Sequence, residues 1–260
     1  MYCIKIMDKD GCTLALGRGE EEINLVYTDA YHKGDQILIE SSGKPVFLWI
    51  QLDDALGQSL NYLKGNYVYH IPFEEMRNNL SPKAFSGKKH LIRLKKAKEY
   101  ELETYKNLAF NVNDSHENQS CYPHASANVE TRGESVFAAK NAIDGVTANS
   151  SHGTWPYSSW GINRDPNAAL TLDFGRKVEI DCITLYLRAD FPHDNWWKAA
   201  KLTFSDDSAM NIDLQKTASG QEFHFEKKRV SWLKLSELIP SDEPSPFPAL
   251  TQIEVYGKDS

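Results

Sequence analysis

The chain has 260 residues, of which 41% are hydrophobic and 25% are charged, and its formal net charge is −7. This composition is typical of a folded globular protein and excludes a disordered chain or a fibrous repeat. The negative charge argues against nucleic acid as a partner, because surfaces that bind DNA or RNA need clustered cations. The length suits either one large β domain or two of ordinary size.

The N-terminal sequence MYCIKIMDKDG lacks the basic and apolar regions of a signal peptide, and no run of about 18 apolar residues occurs. We therefore expect a cytoplasmic location for the chain as it stands, or an extracellular one if a signal has been removed, and we expect no membrane partner. The cysteines at positions 3, 12, 121 and 182 form no C-x-x-C pair. They predict free, buried thiols rather than a zinc or redox site.

The first hundred residues are predicted to form short strands separated by turns. The sequence Asp8-Lys9-Asp10-Gly11 between two apolar runs has hairpin spacing. We predict strands at 2–7, 12–16, 22–27, 36–40, 46–52, 67–71 and 90–94, and short helices at 53–60 and 73–78. The cationic residues between 88 and 98 alternate with apolar ones, which favours a strand with one solvated face over a polyanion site.

A charged, weakly patterned stretch at 95–106 predicts a domain boundary, with a small β-sandwich of uncertain role at 1–104 and a second domain at 105–260. The second domain has predicted strands at 169–174, 181–188, 200–204, 211–214, 221–225, 232–238 and 251–256. Short strands joined by polar, glycine- and proline-containing loops favour a β-sandwich. The aperiodic segment at 111–167 is long for a loop in a compact domain, which favours a functional role.

Several short segments of the second domain follow one another along the chain in a characteristic order. They are Asn107-Leu108-Ala109 with Ala125-Ser126-Ala127, then AKNAIDG at 139–145, Ser159-Trp160, LTLDFG at 170–175 and IEVYG at 253–257. In this order they resemble the discoidin, or coagulation-factor C-type (F5/8 type C), domain and the carbohydrate-binding modules built on the same jelly roll. The resemblance covers about residues 107–257. We therefore predict an all-β fold of two β-sandwich (jelly-roll) domains, the C-terminal one galactose-binding-like.

Sugar sites combine an aromatic ring, which stacks on the C–H face of the sugar, with planar polar side chains that bind its hydroxyls. The segment after the predicted strand at 181–188 supplies both kinds, and its candidate ligand-binding residues are Arg188, Asp190, His193, Asp194, Asn195, Trp196 and Trp197. The resemblance implies that His152, Arg188, Asn195 and one of the two tryptophans contact the sugar. Adjacent strand residues face opposite sides, so we expect one tryptophan in the core. Arg188 could instead form a surface ion pair with Asp190.

The resemblance also implies one structural Ca²⁺ at the Asp-Gly turn. Its candidate ligands are Asn141, Asp144, Asn149 and Glu254, whose side-chain oxygens are the hard ligands that calcium prefers. Val146 departs from the polar residue that often follows the turn in the family. The alternative is that Asp144 caps the turn through its own backbone.

These observations predict a non-enzymatic protein that binds a glycan, of galactose type by the resemblance, through loops at one end of the C-terminal sandwich. A protein- or surface-adhesion adaptor is the alternative; acidic residues around Phe191, Trp196 and Trp197 disfavour an anionic membrane. A glycoside hydrolase is less favoured, because Asp190 and Asp194 form no recognisable acid and nucleophile pair. The sequence leaves the oligomeric state and the sugar open.

Overall fold

The computed structural model describes residues 1–41, 43–188 and 195–259, and strands dominate it. The predicted all-β class is confirmed. No helix in these ranges is long and apolar enough to cross a bilayer. The four thiols are free within the described chain, and Cys3, Cys121 and Cys182 are buried as predicted, whereas Cys12 is exposed.

The first sandwich is built from two antiparallel sheets. Its strands are β1 Tyr2–Met7, β2 Thr13–Gly19, β3 Glu22–Tyr27, β4 Gln36–Glu40, β5 Val46–Gln51, β6 Ser59–Leu63, β7 Tyr67–His70 and β8 His90–Lys96. One sheet has the order β2-β1-β4-β7, and the other contains β6-β5-β8-β3. Alternating residues explain the layers, because Ile23, Leu25 and Tyr27 of β3 enter the core while their neighbours face solvent.

The two helices predicted in this half are corrected by the structure. At 53–60 the carboxylate of Asp53 accepts the Ala55 backbone N–H at 2.9 Å, and Gly57 has a positive φ of 79°, so a turn forms and β6 begins at Ser59. At 73–78 only a 3₁₀ turn, Glu74–Arg77, is present. The cationic stretch forms β8, whose alternate residues are buried, as predicted.

The second unit begins with a short helix, α1 Glu99–Leu102, and continues almost entirely in strands. These are β9 Lys106–Asn107, β10 Cys121–Tyr122, β11 His124–Ala127, β12 Trp160–Gly161, β13 Leu170–Leu187, β14 Trp197–Phe204, β15 Ala209–Asp213, β16 Gln221–Pro240 and β17 Ala249–Asp259. Three 3₁₀ segments, Thr131–Gly133, Ser135–Phe137 and Ala139–Ile143, lie between β11 and β12. Two pairs of predicted strands are therefore continuous in the structure, as β13 and β16.

The long strands β13 and β16 belong to both layers of this sandwich. Residues 170–173 of β13 pair with β11 and with 232–235 of β16, which continues to β14 and β15. Residues 178–187 of β13 pair instead with β17. Of these, residues 178–185 also pair with 221–230 of β16. The register shift between Asp173 and Val178 marks the passage from one layer to the other. Leu172, Phe174 and the other inward residues fill the core between the layers.

The segment at 111–123 joins the two sandwiches. Cys121–Tyr122, which is β10, pairs with β6 and so extends the second sheet of the first sandwich to five strands. Asn113, fully buried, donates its side-chain amide to the Ile50 carbonyl at 3.0 Å and to Ser59 Oγ at 2.9 Å. Upstream of this segment, β9 already pairs with β17. No single cut in the chain separates the sandwiches, and the boundary between 104 and 105 stays a prediction.

We expect the substitution Asn113→Ala to lower the free energy of unfolding by about 2 to 3 kcal/mol, because it leaves buried hydrogen-bonding groups of β5 and β6 without their partner. Chemical denaturation of the full chain followed by circular dichroism measures this change. Asn24→Ala, on the exposed side of β3, is the matched control and should change stability by less than about 0.5 kcal/mol. Equal stability of the two variants would contradict a structural role for this junction.

Candidate functional site

A cavity of about 180 Å³ opens where β13 ends and β17 begins, and we call it the tip cavity. Loops from four parts of the second sandwich line it. The lining residues are Thr131, Arg132, Phe137, His152, Gly161, Ile162, Asn163, Arg164, Arg188, Pro246, Phe247, Pro248 and Ala249. It lies beside Arg188, the first residue of the segment in which the sequence predicted ligand-binding residues.

Arg188 connects the end of β13 to the loop that precedes β17. Its backbone N–H donates to the Ala249 carbonyl at 3.1 Å, and its Nη2 donates to the Phe247 carbonyl at 2.8 Å. The residue is buried as a result, with only 5% exposed. A buried guanidinium is costly unless its donors are paired, so this contact fixes the position of the Phe247 loop.

The backbone around the tip cavity is unusual at three of its lining residues. Arg132, Asn163 and Arg164 have positive φ values of 53°, 48° and 62°. Residues other than glycine seldom adopt this conformation, and it concentrates at functional sites. Gly161 is required for packing, because a Cβ there would lie 2.6 Å from Thr131 Oγ1.

Cationic and aromatic groups alternate in the tip cavity. The Arg164 guanidinium carbon lies 4.6 Å from the centre of the Phe247 ring, and that of Arg132 lies 5.6 Å from the Phe137 ring. Phe247 remains 38% exposed, and His152 is exposed beside it. Among the described lining residues there is no carboxylate. Hydrogen-bond donors and an accessible ring therefore face the same space.

The structure brings together only part of the predicted sugar site. His152 and Arg188 both line the tip cavity, whereas Asn195, Trp196 and Trp197 do not. The carbonyl of the Asn195 side chain accepts from the Trp196 N–H at 2.7 Å and from Ser241 Oγ at 2.6 Å, and its amide donates to the Ser245 carbonyl. The polar atoms of the Asn195 side chain therefore form hydrogen bonds that hold the loop at 241–245.

The two adjacent tryptophans take different positions, as the strand geometry predicted. Trp197 is 1% exposed and packs in the core, with its ring centre 6.3 Å from that of Trp160. Trp196 is half-buried, and its Nε1 donates to the Glu243 carboxylate at 3.2 Å. The expectation that one of these indoles joins Arg188 and His152 is therefore corrected, because one is sealed in the core and the other packs against the 241–245 loop. Asp190, His193 and Asp194 lie outside the described residues.

Sequence reasoning missed Arg132, Asn163, Arg164 and Phe247. The sequence pattern around Phe247 could have identified it, because this aromatic residue lies between Pro246 and Pro248 directly before the last strand. The prolines restrict the backbone on both sides of the ring and keep it out of the sheet. The two arginines have no comparable signal, because their approach to the cavity depends on the positive φ values reported above.

The predicted calcium ligands do not share one site in the structure. Asn141 and Asp144 line a second cavity, between the two sandwiches, which Asn149 and Glu254 do not line. The Asn149 amide donates to the carbonyls of Leu187 and Ala218. Glu254 accepts from the Tyr256 hydroxyl at 3.0 Å. The side-chain oxygen of Asp144 accepts the Val146 N–H at 2.8 Å, which is the turn cap that the sequence left open as the alternative.

Burial raises the pKa of Asp144 to about 7, although the Val146 N–H and the Lys140 ammonium both act to lower it. In the unfolded chain an aspartate titrates near pH 3.9, about three units lower. The protonated carboxyl therefore favours the folded state, and this contribution is fully present below about pH 4 and is lost as pH rises through about 7.

We expect wild-type protein to lose stability relative to the Asp144→Asn variant between about pH 4 and pH 7, by on the order of a few kcal/mol. Denaturation midpoints of both proteins across this range, in buffer with a calcium chelator, measure the difference. Asp213→Asn, on an exposed strand position, is the control and should parallel the wild type. Parallel pH profiles for wild type and Asp144→Asn would show that the carboxyl is not perturbed.

The profile of a domain family of unknown function, DUF7402, matches residues 119–240. A comparison with curated proteins found no significant match.

The solved structures that resemble this chain include sugar-binding modules. A lectin domain of lectinolysin complexed with Lewis B antigen is 19% identical, with a TM-score of 0.42, over 59% of this chain and 97% of that one. A fucose-binding module of Streptococcus pneumoniae is 14% identical, with a TM-score of 0.43, over 59% and 98%. Chitosan-binding module 1 of a Paenibacillus sp. IK-5 chitosanase/glucanase is 17% identical, with a TM-score of 0.39, over 58% and 98%.

At such identities and TM-scores these matches carry no argument about the ligand or the site of this chain, which depend on its own geometry.

Proposed function

We propose that the C-terminal sandwich binds a saccharide in the tip cavity without transforming it. The observation that carries the proposal is the meeting of an exposed phenyl ring, Phe247, with the guanidinium of Arg164, the imidazole of His152 and the amide of Asn163 in one cavity. A sugar ring has an apolar C–H face, which stacks on an aromatic ring, and hydroxyl groups, which need hydrogen-bond partners. The tip cavity has groups of both kinds.

Each lining group has a chemical role in this proposal. The exposed part of the Phe247 ring can take the C–H face of a pyranose ring. Arg164 and His152 can donate to its hydroxyls, and the Asn163 amide can both donate and accept. Arg188 acts mainly by position, because it holds the carbonyl of Phe247 and with it the ring.

The size of the tip cavity favours the terminal unit of a glycan. Its volume of about 180 Å³ is below the range of about 300 to 1,000 Å³ typical of pockets for drug-sized ligands. A single sugar ring therefore enters, and the rest of the glycan remains in solvent. We take a galactose-type unit as the first candidate because the sequence resemblance implies it.

Binding rather than hydrolysis is favoured by the lining chemistry. Glycoside hydrolysis uses two carboxyl groups beside the scissile bond, and in the portion of the lining that the structure describes the polar groups are guanidinium, imidazole, amide and hydroxyl. Asp190 and Asp194 are the two carboxylates that the sequence analysis weighed as an acid and nucleophile pair. An aryl β-galactoside assay of the wild type, Asp190→Asn and Asp194→Asn tests them directly, and we expect no turnover by any of the three.

We expect Arg164→Ala and Phe247→Ala each to weaken sugar binding about 10- to 100-fold, because hydrogen bonds to charged groups contribute about 1.5 to 3 kcal/mol and ring stacking adds a comparable amount. A glycan array identifies the sugar, and isothermal titration of the full chain measures the affinity. The matched controls are Arg93→Ala on the solvent-facing side of β8 and Tyr100→Ala, which is exposed in α1.

The controls should bind as the wild type does. Failure of the folded protein to bind any sugar on the array would remove the proposal. Unchanged binding by both tip-cavity variants would move the site elsewhere on the chain.

A further inference from the structure

Three potential metal ligands converge on the outer face of the C-terminal sheet, on the opposite side from the core. They are the thiol of Cys182 on β13 and the side chains of Glu222 and His224 on β16, and their ligand atoms all lie within 4.8 Å of one another. None of the three lines the tip cavity or the cavity that contains Asp144. This cluster is therefore separate from the proposed sugar site.

Strand register explains the convergence. Cys182 stands directly opposite His224 in the β13–β16 pair, and Glu222 precedes His224 by two residues. Residues two apart on a strand share a face, and opposite residues in an antiparallel pair have close side chains. Phe223 and Phe225, the residues that alternate with these two, pack against the core. All three ligands are therefore held on one face by the same pairing that builds the sandwich.

The separation of the nitrogen and oxygen ligands matches a tetrahedral site, and the sulfur lies within 4.8 Å of both. Nε2 of His224 and Oε2 of Glu222 lie 3.3 Å apart. Two ligands at about 2.0 to 2.1 Å from a tetrahedral Zn²⁺ are separated by about 3.3 Å, and a thiolate at about 2.3 Å lies about 3.6 Å from a nitrogen ligand. The side chains of His224 and Glu222 are 71% and 63% exposed, so packing does not prevent them from turning toward the sulfur.

The surroundings of the thiol suit a cation. The negative charges of Glu222, Asp181 and Glu254 all act on the sulfur of Cys182. A bound dication would compensate the surrounding negative charge and stabilise the thiolate.

We propose that Cys182, Glu222 and His224 bind a zinc-type divalent cation, with a fourth coordination position left open to solvent. The combination of sulfur, nitrogen and one carboxylate oxygen favours Zn²⁺ over Ca²⁺ or Mg²⁺, which take oxygen ligands. Three protein ligands with one open position is the arrangement that leaves a metal accessible to water or to a further ligand.

Titration of the reduced, metal-free full chain with Zn²⁺ tests the site. We expect one Zn²⁺ per chain, and an increase in the thermal midpoint when Zn²⁺ is added. With Co²⁺ as a spectroscopic substitute, we expect a thiolate-to-metal absorption band in the near ultraviolet. Cys182→Ser should abolish this band and weaken Zn²⁺ binding at least about 100-fold, and Glu222→Gln should weaken it about 10-fold.

Matched controls separate this site from other thiols and imidazoles of the chain. Cys12→Ser removes an exposed thiol, and His32→Ala removes an exposed imidazole next to a carboxylate in the first sandwich. Both variants should bind Zn²⁺ and give the Co²⁺ band as the wild type does.

Two results would overturn the proposal: no Zn²⁺ binding by the folded, reduced wild type, or equal Zn²⁺ affinity in wild type, Cys182→Ser and Glu222→Gln. Circular dichroism of each variant establishes that it is folded, and Glu222→Gln, an exposed and nearly isosteric change, keeps the test valid if Cys182→Ser unfolds. Sugar binding is measured separately and does not enter these outcomes.

Discussion

The buried amides of the segment at 111–123 determine how the two sandwiches sit together. Asn111, Asn113 and Asn118 are all buried, and between them they donate to carbonyls of Ile50, Pro123 and Cys121 and to the Ser59 hydroxyl. Hydrogen bonds in such a low-dielectric interior are directional and costly to leave unmade. Asn113 therefore ties the segment to β5 and β6 of the first sandwich. Asn111 and Asn118 donate within the segment and hold its shape.

The carboxylate of Asp114 forms further hydrogen bonds at this junction, on the side of the second sandwich. Asp114 accepts from His124 Nδ1 at 2.8 Å and from the Ala125 N–H at 2.9 Å, at the start of β11. Since β11 pairs with the first residues of β13, the junction is linked through one strand to the layer that carries the core. The same strand, β13, ends at the tip cavity next to Arg188 and carries Cys182 between these points. Two separate candidate sites thus depend on the register of a single strand.

Part of this arrangement could be predicted from residue patterns. The strands predicted at 22–27, 36–40 and 169–174 all correspond to strands of the structure. At 170–174 the signal was the alternation of apolar and polar residues, because a period of two is a local property of the chain. The prediction that one of two adjacent tryptophans enters the core rests on the same alternation, and Trp197 occupies that position. Helix 53–60 was wrong because the Asp53 turn and the buried partners of Ser59 and Asn61 outweigh local helical preference. The prediction that Asn195 and Arg188 share one site was wrong for a similar reason, because the Asn195 amide forms hydrogen bonds with the 241–245 loop.

The amino-acid sequence by itself predicted the all-β class, the turn at Asp144, the family resemblance of the second half, and Arg188 and His152 as candidate residues, which both line the tip cavity. Only the tertiary structure decided that Phe247 and Arg164 line the same cavity and that Cys182 lies close to Glu222 and His224. The physical reason is the range of the interactions. Alternation, turn chemistry and capping act over a few residues, whereas these groups are far apart along the chain and meet through strand pairing and positive-φ loops, which short sequence patterns do not record.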